Sequence, residues 1–85
     1  MAVKVLYFSW IKEKVGAGEE LLSPPDSVET VSDFVDWLRT QSPAHDSAFE
    51  NLKQIRAAVD QVHVPLESRI GLAKEIAFFP PVTGG

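Results

Sequence analysis

The opening run Val3-Lys4-Val5-Leu6-Tyr7-Phe8-Ser9-Trp10-Ile11 is apolar on both alternating faces, as expected of a strand in the middle of a sheet. Val5 and Tyr7 fall on one face of that strand, and Leu6, Phe8 and Trp10 on the other. Ile11 to Val15 reads as a short helical turn ended by Gly16 and Gly18. Glu19-Glu20-Leu21-Leu22 predicts a second, short strand antiparallel to the first, stopped by Ser23-Pro24-Pro25.

The spacing then changes to that of a helix. Val31, Phe34, Val35 and Leu38 recur at i, i+3, i+4 and i+7, one apolar stripe that predicts the main helix over about residues 30–41. Thr30 and Asp33 stand where a capping box would hold its first free N–H groups. Trp37 lies beside the stripe. A second short helix is expected from Ser42 as N-cap and Pro43 as first helical residue, through Ala48, Phe49 and Leu52. Ile55, Ala57 and Val59 return to period two, Asp60-Gln61 is a turn, and Val62-His63-Val64 is a short strand closed by Pro65. After an irregular connection from Leu66 to Gly71, Lys74 to Phe79 makes the last strand, with Ile76 and Phe78 opposite Ala77 and Phe79.

These elements predict a two-layer α+β domain, a mixed sheet of four to five strands with one main helix packed on one face. Parallel pairing of the first and last strands in the middle, with the helix in the crossover, would make it a β-grasp. The expected division is a folded domain over 1–79 and an extended, flexible tail over 80–85. One helix layer covers one sheet face. Leu6, Phe8 and Phe79 would lie on the other, and an exposed apolar patch of that kind implies a partner.

Composition narrows the function more than the fold. The chain's 85 residues suit one domain, and 45% hydrophobic with 24% charged residues suits a folded, water-soluble one. The net charge of −4 argues against nucleic acid as a partner. No segment reads as a membrane span or a signal peptide, and the absence of cysteine suits a reducing compartment, so the expected location is cytoplasmic. It also removes thiolate chemistry: any sulfur handled by this chain rides on something other than a thiol of its own. His45 and His63 have no second ligand at metal spacing and are expected at a surface or interface, with no metal and no bound cofactor. Gly16-Ala17-Gly18 lacks the third glycine of a dinucleotide loop, and Ser9, Ser42 and Thr83 have no histidine base at recognisable spacing. Glu19-Glu20 reads as a solvated edge.

The chemistry is concentrated in Phe78-Phe79-Pro80-Pro81-Val82-Thr83-Gly84-Gly85. Pro80-Pro81 has no N–H to continue a ladder and projects the tail as a stiff arm. Gly84-Gly85 has no Cβ, so a terminal carboxylate on Gly85 could pass down a channel too narrow for side chains. A bare Gly-Gly can also be a flexible end. An ATP-dependent enzyme can turn such a carboxylate into an acyl-adenylate, and a sulfur donor can then displace AMP to leave a thiocarboxylate, an ionised and soft nucleophile.

The tail FFPPVTGG, the opening VKVLYF and the AAV strand beginning at Ala57 together resemble the small, sulfur-carrying subunit of molybdopterin synthase, the MoaD family of ubiquitin-like β-grasp proteins. The resemblance runs nearly end to end and is most specific over 76–85. It implies that Gly85 is adenylated by an E1-like enzyme at the expense of ATP and receives sulfur from a donor protein. It further implies that Gly84 accompanies Gly85 into the large subunit of the synthase, where sulfur is added to a pterin precursor in a heterotetramer. Phe79, Pro80, Pro81, Val82 and Thr83, with Phe8 beside them, would make the large-subunit contact. The chain departs from the family's acidic turn at Ile70-Gly71-Leu72-Ala73-Lys74-Glu75, which is apolar with a lysine. Two other readings stay open: a ubiquitin-like carrier or modifier for another destination, such as thiamine synthesis, and a plain interaction module.

Overall fold

The computed structural model describes residues 2–81. Along the chain it places β1 (Val3–Tyr7), α1 (Ser9–Val15), β2 (Glu19–Leu22), α2 (Val31–Leu38), α3 (Pro43–Ala48), a 3-10 turn (Leu52–Gln54), β3 (Arg56–Val59), β4 (Val62–Val64) and β5 (Glu75–Phe79). The strands form one sheet in the order β2-β1-β5-β3-β4. β1 and β5 pair in parallel at its centre, with Lys4 opposite Glu75 and Tyr7 opposite Phe78, and the outer pairs are antiparallel. This is the expected β-grasp.

The opening strand is shorter than the pattern suggests. Phe8 continues the extended backbone, but Ser9 takes φ of 56°, in the left-handed region where a side chain is strained, and starts α1. Ser9, Trp10 and Ile11 are therefore helical, and Trp10 leaves the strand face assigned to it. The turn at Ser9 brings Ile11 into the core and packs Val15 against it. Gly16, at φ of 91°, closes this helix.

The N-terminus of α2 is fully capped. Thr30 Oγ1 accepts the Asp33 N–H at 3.0 Å, and Asp33 Oδ2 accepts the N–H groups of Thr30 and Glu29 at 3.1 Å. The 66–71 connection supplies the rest: the carbonyls of Ser68 and Leu66 accept the Val31 and Ser32 N–H groups at 2.9 and 2.8 Å. Backbone bonds to Asp33 hold its carboxyl below the usual range, led by the N–H of Glu29. The helix ends at Leu38, three residues short of the expected 41, because Arg39 to Gln41 tighten into a turn whose N–H groups reach Val35, Trp37 and Leu38.

Alternation on the two central strands divides the molecule. Val5, Tyr7, Ile76 and Phe78 point toward α2 and are fully or almost fully buried with Phe34, Leu38, Phe49 and Ile55. Phe78 is the hub of this core: its ring meets those of Phe49 at 5.0 Å, Phe34 at 6.3 Å and Tyr7 at 6.5 Å. Asp60 and Gln61 both adopt positive φ in the two-residue turn that joins β3 to β4.

Replacing Phe78 by Ala should therefore cost about 3–5 kcal/mol, a large share of a small domain's stability. Thr30→Ala, which orphans one of several satisfied helix N–H groups, should cost about 1 kcal/mol. Urea unfolding of the two variants checks both values and their order.

Candidate functional site

The face of the sheet turned away from α2 carries the candidate site. Leu6 pairs with Ala77, Ala77 with Ala58 and Ala58 with His63, so these four side chains form one row across four strands. β2 adds Glu19, opposite Leu6, at the near edge. Phe8 and Phe79 lie beside this row toward the tail. Together they line an open groove of about 410 Å³ with Gln61, Glu75 and His63. Phe8 is 48% exposed although aromatic, and Phe79 is half-buried, its ring 4.9 Å from that of His63. Small alanines make the floor; two large rings stand at the end from which the tail leaves. The Phe8 N–H donates to the Phe78 carbonyl at 3.1 Å, tying the first ring to the strand that carries the second.

The structure thus brings Phe8 and Phe79 together, with half-buried Pro80 and Pro81 directly after them. The other expected site residues, Val82, Thr83, Gly84 and Gly85, lie outside the described residues. Sequence reasoning set Ala77 on the Phe79 face of the last strand but did not assign Ala58, Glu75 or His63 to this face. Period two in β3 and β5 held that signal, and pairing β4 in register supplies the rest.

Two sequence expectations need correction. His45 is not at a surface or interface but 8% exposed, and Glu20 is not a solvated edge residue but half-buried. Glu20 Oε1 accepts the Tyr7 O–H at 2.8 Å and lies 2.7 Å from His45 Nε2, while His45 Nδ1 lies 2.7 Å from Ser42 Oγ. With its proton on Nε2, His45 donates to Glu20 and accepts from Ser42. The connectivity has the look of a nucleophile–base–acid triad, but Ser42 Oγ also accepts the His45 backbone N–H as the α3 cap, and Tyr7 fixes the carboxylate. It is a buried polar pin holding α3 to β1 and β2. Burial works to raise the Glu20 carboxyl, and the bonds from His45 and Tyr7 with the His45 charge outweigh it, holding that carboxyl below its ordinary value. Burial, then the bond to Glu20 and its charge, push the Tyr7 hydroxyl far up, so it stays a donor.

The unusual 70–75 stretch is also explained. Ile70 and Ala73 are buried beneath the sheet's end, Gly71 turns at φ of 53°, and Leu72 is left 80% exposed. The acid that closes the turn comes from another loop: Asp60 Oδ1 accepts the N–H groups of Lys74 and Glu75 at 2.9 and 3.0 Å. Among the described residues there is no group of three potential metal ligands and no helix long and apolar enough to cross a membrane.

Comparison with known proteins decides the family. The ThiS family model matches residues 5–85. The chain belongs to the ThiS family. It is 37% identical to the molybdopterin synthase sulfur carrier subunit of Escherichia coli, over 98% of this chain and 99% of that one. It is 34% identical to the protein of the same name from Haemophilus influenzae, again over 98% and 99%. Among solved structures, SAMP1 from Haloferax volcanii superposes over the whole of both chains with a TM-score of 0.76 and 26% identity. The MoaD resemblance carried by the tail and the opening strand is borne out by these relatives.

The polar pin of this ThiS-family chain makes a pH prediction. A carboxyl held below its ordinary 4.5 contributes stability that is present above that value and lost as pH falls through its lower folded value. Glu20→Gln should therefore be less stable than the parent at neutral pH, and the gap should close below pH 4.5. Thermal unfolding of both proteins across the acid range measures it.

Proposed function

We propose that this chain is the sulfur carrier of molybdopterin synthase, the carrier being the carboxyl group of Gly85. The observation that supports this most directly is the placement of an exposed apolar face, with Phe8 and Phe79 as its tallest groups, at the root of the Pro80-Pro81-Val82-Thr83-Gly84-Gly85 tail. Full-length similarity to two proteins named for that role supports it independently. An E1-like enzyme joins the Gly85 carboxylate to AMP from ATP, releasing pyrophosphate. Hydrosulfide-level sulfur supplied by a donor protein then attacks the acyl carbon, AMP leaves with the former carboxylate oxygen, and the thiocarboxylate remains. The chain holds no cofactor of its own in this scheme; ATP is consumed by its activating partner.

The large subunit of the synthase supplies the pocket for the pterin precursor. The role of this chain is to dock and to reach. Phe8, Phe79, Pro80 and Pro81 anchor on the large subunit with Val82 and Thr83, and Gly84 passes into the pocket with Gly85. Each carrier brings one sulfur, so one dithiolene consumes two loaded carriers, consistent with two small and two large subunits in the assembly. All of this takes place in the cytoplasm. A carrier for thiamine synthesis, or a protein modifier, would share the activation step but not a lasting complex through the sheet face. The breadth of an apolar face favours the lasting partner.

Incubation with ATP, the host's activating enzyme and a sulfur source should add the oxygen-to-sulfur mass difference at Gly85, read by intact-mass and fragment spectrometry. Extending the chain by one residue beyond Gly85 should leave the fold unchanged and abolish sulfur transfer. Full activity from the extended protein refutes the mechanism. Phe79→Ala should weaken large-subunit binding by about 2 kcal/mol or more, measured by calorimetry, if Phe79 is an interface anchor.

A further inference from the structure

The open face has a property that a general apolar patch lacks: the polar groups at its two edges are self-complementary. Read from edge to edge, its central row is Glu19, Leu6, Ala77, Ala58 and His63, an acid at the β2 edge and an imidazole at the β4 edge, centred on the middle strand. We propose that the isolated chain pairs with a second copy of itself, open face to open face, about a two-fold axis lying along β5.

That axis turns the β2 edge of each copy onto the β4 edge of the other. Glu19 of one copy then stands over His63 of its partner, twice by symmetry, with Leu6 over Ala58 and Ala77 over Ala77 between them. One step toward the tail, Phe79 meets Phe79 across the axis, each ring already packed against its own His63. One step the other way, the two Glu75 carboxylates meet. Lys4, in register beside Glu75 in each copy, flanks them, so this cluster holds two negative and two positive charges. Arg56, also on this face, is bonded back to the carbonyls of Lys53 and Ile55 and stays on its own chain, and Lys12 lies beside Glu19 at the β2 edge.

Sheets packed face to face lie about 10 Å apart, a gap that alanines alone leave open and that Leu6, Phe79 and the partner's equivalents fill. Sheet twist sets such layers about 30° from parallel, so the axis passes by Ala77 at about 15° to each β5, an offset absorbed by the reach of Glu19 and His63 at the edges. A plain hydrophobic contact would lack this pairing of edges. The same face serves the large subunit in the proposed function, so self-pairing and that docking exclude each other. Only this corollary rests on the proposed function; the pairing does not.

The experiment is sedimentation of the free wild-type chain over a dilution series, with Glu19→Lys and His63→Glu alone and mixed. Wild type should show a concentration-dependent dimer. His63→Glu sets two carboxylates against each other twice, and Glu19→Lys removes the acid that the imidazole faces and sets a donor in its place; each should dimerise at least about tenfold more weakly. An equimolar mixture should regain the dimer, because Lys at position 19 of one chain then meets Glu at position 63 of the other. A monomeric wild type, a dimer indifferent to both substitutions, or a mixture that stays monomeric overturns the proposal. Both positions are solvent-facing, and circular dichroism verifies the fold; Glu19→Arg with His63→Asp replaces the pair if either unfolds. Sulfur loading of Gly85, assayed separately by mass, is unaffected by either result.

Discussion

Parallel pairing of β1 with β5 is the constraint on which the rest of the molecule depends. It joins Lys4 to Glu75 and Tyr7 to Phe78 across nearly the whole sequence, and every other element lies within the connection it closes. Such non-local pairing carries a loop-closure cost before it gains any burial. The gain comes from alternation. The same two strands send Val5, Tyr7, Ile76 and Phe78 into the core and Leu6, Phe8, Ala77 and Phe79 to the open face. A slip of one residue in this register would exchange the two sets, exposing the core hub Phe78 and burying the rings at the tail's root. The buried core and the open face are therefore specified by one register.

With one sheet face left open, the covered face must supply most of the stability. It does so with an aromatic cluster around Phe78 and with a polar pin that would be costly if incomplete. Tyr7, Glu20, His45 and Ser42 come from β1, β2 and the α3 cap, and each of their polar groups in this network has a partner. Among the described residues no buried side-chain nitrogen or oxygen lacks one. The pin also fixes the α3 side of the core, where Ala48 and Phe49 pack against Tyr7 and Phe78.

Much of this was legible in the chain because the signals are local. The Thr30–Asp33 capping box, the stripe Val31-Phe34-Val35-Leu38, Pro43 after Ser42, and period two in the last strand all rest on spacings of a few residues, and each appears where expected. Two features were not legible, for different reasons. At Ser9 to Ile11 the residues suit strand and helix alike, and only the room beneath the sheet's end decides, at the expense of a left-handed serine. The His45–Glu20 contact spans 25 residues and joins two elements whose packing no local pattern encodes. On the site side, Phe8 and Phe79 could be placed on one face by alternation alone. His63 could not, because its position there depends on the pairing of β4 to β3.

An open apolar face is a hazard for a small domain, and the arrangement of charges shows how this one is contained. The edge strands are short, β4 only three residues, and their face-side positions include Glu19 and His63. Lys4 and Glu75 put opposite charges in the row farther from the tail. Apart from Leu21, exposed on β2 opposite Lys4, apolar bulk lies in the middle of the face and rises toward Phe8 and Phe79. A partner that seeks the largest apolar groups must bind at that end, and so it engages the face where Pro80 and Pro81 begin the tail. The polar groups at its margins therefore give the face a direction: its large rings Phe8 and Phe79 stand at the end where Pro80 and Pro81 leave the sheet.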